Sequence, residues 1–236
     1  MTFRERLIAT LRALAPLFEE PGLMVVGSEV PNLLEPDAAA TLVVSQDVDI
    51  AVPVDRHAQV KRRLQDLHGF HQSTEEPSVW LPDSPGLLEA NFVGLDPSIR
   101  DPGDTYVFED PELPLLVFAL LSLLRPGTPV QVGGLSVPVP RLPGLLLEKL
   151  ATERSGEKGD RDLLVALGLL LVASPADADE LAAAFRGLPA DLRHSVLANL
   201  ATLALLEARV GMPDPAPHRE KVGALRRRLE REEVAR

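Results

Sequence analysis

The chain has 236 residues and no cysteine. Disulfides and thiolate metal sites are therefore excluded, and a reducing compartment suits the composition. Aromatic residues are scarce at 4%, with a single tryptophan and a single tyrosine. Trp80 and Tyr106 could stack on a base, but packing is the plainer role for both. No apolar run approaches the roughly 20 residues that cross a bilayer. The two longest are residues 113–124 and 163–173. Both read as buried helices, although the first also suits a strand. Met1–Arg6 mixes charges and lacks the apolar centre of a signal peptide. A cytoplasmic, non-membrane protein is expected.

An excess of basic charge is also missing. The net charge is −11. Residues 1–138 hold nine basic and twenty acidic side chains, whereas the remainder holds fifteen of each. A general DNA-binding surface would be basic, so none is expected, although a local contact with a tRNA end remains open.

What the chain does contain is a pair of carboxylates in a strand-like segment, Asp47-Val48-Asp49-Ile50. Residues two apart on a strand share a face. Asp47 and Asp49 therefore project together while Val48 and Ile50 enter a core. Two clustered carboxylates repel unless a proton or cation lies between them. A divalent metal that also holds a nucleotide phosphate resolves this economically. Upstream, Val25-Val26-Gly27-Ser28 runs a hydrophobic segment into a small-residue turn.

The element pattern changes along the chain. A helix is expected over residues 3–18 and ends at Pro21-Gly22. Strands are expected at 23–26, 41–44 with 48–52, 78–81, 87–93, 106–108 and 130–139. The last is split into a hairpin by Gly133-Gly134. Asp55 is the expected N-cap of a helix to about Leu67. From Pro140 the periodicity is helical, at 143–154, 160–172, 177–186, 190–210 and 218–234. The fold class is α+β, with domains at 1–139 and 140–236.

These residues resemble the nucleotidyltransferase superfamily with the DNA polymerase β-type fold, most closely its minimal bacterial, AbiEii-like branch. The pattern is a hydrophobic residue with Gly-Gly or Gly-Ser, an Asp-h-Asp-h strand, and a carboxylate on a later strand. Val26-Gly27-Ser28 and Asp47-Val48-Asp49-Ile50 match the first two. Glu89 in Leu87-Leu88-Glu89-Ala90-Asn91-Phe92-Val93 is the candidate for the third. Leu145–Ala151 with Lys149, followed by Arg154, Lys158 and Asp162, resembles the branch's lysine helix and the basic residue and aspartate after it. The likeness covers scattered matches over residues 5–172. Three departures stand out: 18 residues separate Ser28 from Asp47, no arginine precedes the pair, and the third carboxylate is Glu.

The resemblance implies a nucleotidyltransferase-like mixed sheet with flanking helices, then an all-helical C-terminal domain. It implies transfer of a nucleoside monophosphate from an NTP to an acceptor hydroxyl. Asp47, Asp49 and Glu89 would hold Mg²⁺ or Mn²⁺, with Glu89 helping to deprotonate the acceptor. Gly27 and Ser28 would approach the phosphates. Lys149 would reach them from the helical part, with Arg154 and Lys158 as weaker candidates. The acceptor is open among a small molecule, a protein and a tRNA end. A homodimer or an antitoxin partner is also open.

Each residue has a plainer reading. Asp-x-Asp occurs on solvated strand edges, Glu89 faces water by simple alternation, and Lys149 pairs or snorkels. Arg154, Lys158 and Asp162 fit an intramolecular charge network. Arg226-Arg227-Arg228 fits helical pairing with the glutamates after it. His68 and His71 complete no metal spacing. The alternative function is a catalytically degenerate nucleotidyltransferase-fold protein that works as a binding or regulatory module.

Overall fold

The computed structural model describes residues 1–35, 43–99, 104–152 and 156–234. The chain is mixed α+β and divides into two compact units, one built from residues 1–35 and 44–140, the other from 141–234. Among the described residues, no helix is long and apolar enough to cross a membrane.

The first unit is organised by its sheet. Helix α1 (Phe3–Leu14) starts at a reciprocal cap: Glu5 N–H donates to Thr2 Oγ1 at 3.2 Å, and Thr2 N–H donates to Glu5 Oε2 at 2.7 Å. Two orphan donors are thereby satisfied. Leu7, Leu11 and Leu14 recur at helical spacing and are buried. Pro16 then tightens the chain into a 3₁₀ turn, Ala15–Glu19. Gly22, at φ +81°, turns the chain toward the sheet, a conformation glycine reaches without Cβ strain.

Strand β1 (Met24–Val25) runs antiparallel to β2 (Asp47–Pro53), with Met24 opposite Ala51. β2 runs parallel to β5 (Glu89–Leu95), which pairs antiparallel with β4 (Val79–Pro82). β4 pairs with β3 (Phe70–Gln72), a short strand the hydrophobic pattern does not announce. β7 (Leu115–Val117) joins the far end of β5 in parallel and carries β6 (Tyr106–Phe108) as a hairpin partner. The apolar run at 113–124 is thus strand followed by a 3₁₀ turn at Ala119–Leu123. Prolines 111 and 114 and a parallel partner override its helical appearance.

β8 (Val130–Val132) and β9 (Leu135–Val137) form a separate hairpin. Gly133 and Gly134 both sit at positive φ, as a two-residue hairpin turn requires. Asp55 does not cap a helix. It lies inside a 3₁₀ turn, Val54–Arg56, that runs straight into α3 (His57–Gln65), and its carboxylate lies 3.8 Å from Arg56.

Alternation along β2 decides what faces the core. Val48, Ile50 and Val52 are fully buried, whereas Asp47 and Asp49 are half-buried on the opposite face. β5 repeats this, with Ala90 and Phe92 buried and Glu89 and Asn91 half-buried. α1 anchors the entry to β5: Thr10 Oγ1 accepts Leu88 N–H at 2.7 Å, and Arg6 donates to Leu87 O at 2.9 Å.

The second unit comprises α4 (Leu142–Ala151), α5 (Gly156–Val172), α6 (Pro175–Gly187), α7 (Ala190–Leu203) and α8 (Arg219–Val234). Leucines fill its centre; Leu145, Leu147, Leu164 and Leu167 are fully buried. Asn199 of α7 donates to Leu150 O at the end of α4 at 2.8 Å, satisfying a terminal carbonyl.

Candidate functional site

The acidic pair lies at the start of β2 and is framed from three directions. From one side comes β5, in register with Asp47 beside Glu89 and Asp49 beside Asn91. The Asn91 amide donates to Asp47 Oδ2 at 2.9 Å and to Asp49 Oδ1 at 3.3 Å. One side chain thus bridges both carboxylates, while its own Oδ1 is buried without a partner among the described residues. From below, the buried Ser45 hydroxyl donates to Asp47 Oδ1.

The third direction is the Gly27-Ser28 turn. Val26 N–H donates to Asp49 O at 2.9 Å, so the 18 intervening residues do not separate turn and pair in space. A Cβ on Gly27 would fall 2.3 Å from Glu29 Oε2 and 2.7 Å from Asp49 Oδ2. A side chain here would have to push both carboxylates aside. Ser28 is half-exposed at the turn, and the chain continues into the short helix α2 (Val30–Leu34).

Glu29 was not among the expected site residues. It is fully buried, its Oε1 accepts Asp49 N–H at 3.3 Å, and its Oε2 has no hydrogen-bond partner among the described residues. Burial pushes its carboxyl well above the usual range, and the neighbouring Asp49 and Asp47 add to the shift. Asn91 was also missed, although it lies two residues past Glu89 and so shares its face.

Glu89 is beside Asp47 in register but outside the hydrogen bonds that tie the two aspartates to Asn91. Its carboxyl is raised by burial, then by Asp47 and by Glu76. It opens instead onto a pocket of about 430 Å³ shared with His71, Glu75, Glu76, Val79 and Leu81.

The expected phosphate-binding cations belong to the helical unit. Lys149, on α4, is largely buried with its Nζ 3.1 Å from Glu148 Oε2. Lys158 is exposed on α5. Arg154 lies outside the described residues. In the same stretch Asp160 pairs with Arg209 at 2.6 Å.

Two histidines make polar contacts within the sheet unit. His57 is buried, its Nε2 is 2.8 Å from Leu113 O, and its ring lies against Phe108. His71 on β3 pairs with Asp83 at 2.7 Å. Trp80 is buried on β4, and Tyr106 donates to Asp96 at 3.1 Å.

Among the described residues, no group of three or more His, Asp or Glu side chains is arranged to hold a metal ion. A small hard cation such as Mg²⁺ asks for less. It is usually bound by one or two carboxylates, with waters and substrate phosphates completing the shell. Asp47 and Asp49 fit that demand, because an oxygen from each already reaches one amide nitrogen. The chain matches no known protein-family profile and no curated protein sequence.

Proposed function

We propose that the chain is a metal-dependent nucleotidyltransferase of the DNA polymerase β-type fold, transferring a nucleoside monophosphate from an NTP to an acceptor hydroxyl. One observation carries the reading: the Gly27-Ser28 turn packs directly on Asp49, with Asp47 on the same face. A phosphate-approaching turn and a paired-carboxylate strand thereby meet at one place.

In the reaction the acceptor oxygen bonds to the α-phosphorus. The bond from that phosphorus to the pyrophosphate oxygen breaks, and pyrophosphate leaves with the electron pair. Such transfer depends on alignment and charge neutralisation more than on covalent help from the protein. Mg²⁺ or Mn²⁺ held by Asp47 and Asp49 would neutralise the triphosphate oxygens. Glu89, beside Asp47 and open to the pocket, would take the hydroxyl proton. Gly27 leaves room for close backbone approach, and Ser28 offers a hydroxyl.

The test is incubation with each labelled NTP and Mg²⁺ against small-molecule, RNA and protein extracts. Label transfer by the wild type, and its loss in Asp49→Asn with an unchanged melting temperature, is the expected result. No transfer and no NTP binding would sink the proposal.

A second reading, a catalytically degenerate binding module, is favoured by Asn91. Its amide donates to an oxygen of each aspartate, the oxygens a cation between them would use. On this reading NTP binding, if present, is independent of divalent cations.

A further inference from the structure

The acidic pair is held by neutral donors. Asn91 Nδ2 lies 2.9 Å from Asp47 Oδ2 and 3.3 Å from Asp49 Oδ1, so one amide answers both carboxylates. The other oxygen of Asp47 accepts from the hydroxyl of the buried Ser45. Neutral donors offset the repulsion between two carboxylates without cancelling their charge. Two buried acceptors beside the pair are left over. Neither Asn91 Oδ1 nor Glu29 Oε2 has a hydrogen-bond partner among the described residues. Glu29 is fully buried, and its Oε2 and Asp49 Oδ2 lie 2.3 and 2.7 Å from one point, the place of a Cβ on Gly27. Orphaned buried acceptors are costly, and next to carboxylates they call for positive charge.

The asparagine side chain can answer the pair in two ways. Its nitrogen donates and its oxygen accepts, and the terminal torsion that exchanges them is broad and roughly two-fold. N–H groups aimed at the aspartates suit a pair with no cation between them. They do not suit a dication on the same two oxygens, because the positive end of the amide would then face positive charge. A half-turn of the amide presents Oδ1 there instead. It gives up two N–H bonds and gives the orphaned oxygen a partner. Mg²⁺ takes oxygen ligands at about 2.0–2.1 Å, well inside the 2.9 and 3.3 Å that separate Nδ2 from the aspartates. The pair therefore draws in as the amide turns.

We propose that Asn91 is a latch on the acidic pair: its N–H groups hold Asp47 and Asp49 together before a divalent cation binds, and its amide turns over to present Oδ1 when one does. Asn91 is on this account a positioning residue that sets how readily the pair accepts its ion. The proposal rests on the nucleotidyltransferase reading, specifically on a cation at Asp47 and Asp49, and adds how that site is regulated.

The experiment follows the Asn91 side-chain amide by NMR in the full-length ¹³C,¹⁵N-labelled protein while MgCl₂ is titrated at fixed ionic strength, alone and with each NTP. Saturable movement is expected in two signals. Both amide protons move upfield as they leave the carboxylates, and the Cγ carbon moves downfield as its oxygen meets the cation. KCl in place of MgCl₂ should produce neither. A side chain that merely pins β2 to β5 keeps its hydrogen bonds. Saturable Mg²⁺ shifts at Asp47 and Asp49 with the Asn91 amide unmoved would therefore overturn the latch and leave the parent reading standing. No saturable Mg²⁺ shift at either aspartate, with or without any NTP, would overturn both. Asn91→Asp has no donor to release and one more charge, so calorimetry should show it binding Mg²⁺ about tenfold more tightly or better. Equal or weaker binding would overturn the latch. The amide signals come from the unaltered chain, so they decide the matter even where the variant folds poorly.

Discussion

The acids of the helical unit and those around β2 in the sheet unit are answered in opposite ways. In the helical unit acids meet arginines: Arg186 reaches Glu232 at 2.6 Å, Arg209 reaches Asp160 at 2.6 Å, and Arg226 reaches Glu230 at 2.9 Å. The sheet unit has such pairs too, Asp110 with Lys61 and Glu20 with Arg63, but around β2 its acids meet one another. Glu29 is buried against Asp49, and Glu89, beside Asp47 in register, is raised further by Asp47 and Glu76. Paired surface charges contribute little to stability and little to chemistry. Converging carboxylates cost stability and persist where a cation, a proton or a ligand answers them. The contrast sets the carboxylates around β2 apart from the paired surface charges of both units.

The largest expected effect breaks the crowded turn. Gly27→Val places methyl groups where two carboxylates stand, and should cost about 1–3 kcal/mol or more by overpacking. Urea unfolding measures it, and a loss below about 0.5 kcal/mol would mean that the turn yields freely. Asn91→Asp sharpens the comparison by replacing the bridging donor with a third charge. Stability should fall by about 1–3 kcal/mol without divalent cation, and Mg²⁺ should restore more of it than in the wild type. Thermal melts with and without Mg²⁺ read both.

Glu29 gives a pH signature. Its folded-state carboxyl is raised well above the model-compound value of 4.5. Above that value the unfolded chain has released the proton while the folded chain keeps it. Stability therefore declines as pH rises toward the raised folded pKa. Glu29→Gln should flatten this decline, as read from urea midpoints between pH 5 and 8. Asp110 works in the opposite direction. The Lys61 ammonium beside it holds its carboxyl down at about 2, so its contribution is lost as pH falls below the ordinary carboxylate range. The smallest effect belongs to the helical unit. Arg186→Ala should cost no more than about 1 kcal/mol and should matter less as salt rises.

The pair itself was readable from the chain because a period of two needs only local information. Asp47 and Asp49 share a face wherever β2 lies. The same rule, carried two residues past Glu89, reaches Asn91. Glu29 offered no such signal. Its burial depends on Asp49, 20 positions away, and nothing in Gly27-Ser28-Glu29-Val30 announces that contact. The 18-residue gap suggested distance, but β1 and β2 pair as neighbours and cancel it. β3 and α2, at three and five residues, are too short to set a periodicity. Asp55 has the right chemistry for a cap, but it lies inside a 3₁₀ turn that runs straight into the helix.

The central claim is that Asp47 and Asp49 hold a divalent cation for a nucleoside triphosphate. Calorimetric titration of the wild type and Asp49→Asn with each NTP, with and without Mg²⁺, tests it most directly. The account predicts Mg²⁺-dependent binding of at least one NTP to the wild type, weakened at least tenfold by Asp49→Asn. Equal binding with and without Mg²⁺, or none to the wild type, would contradict it.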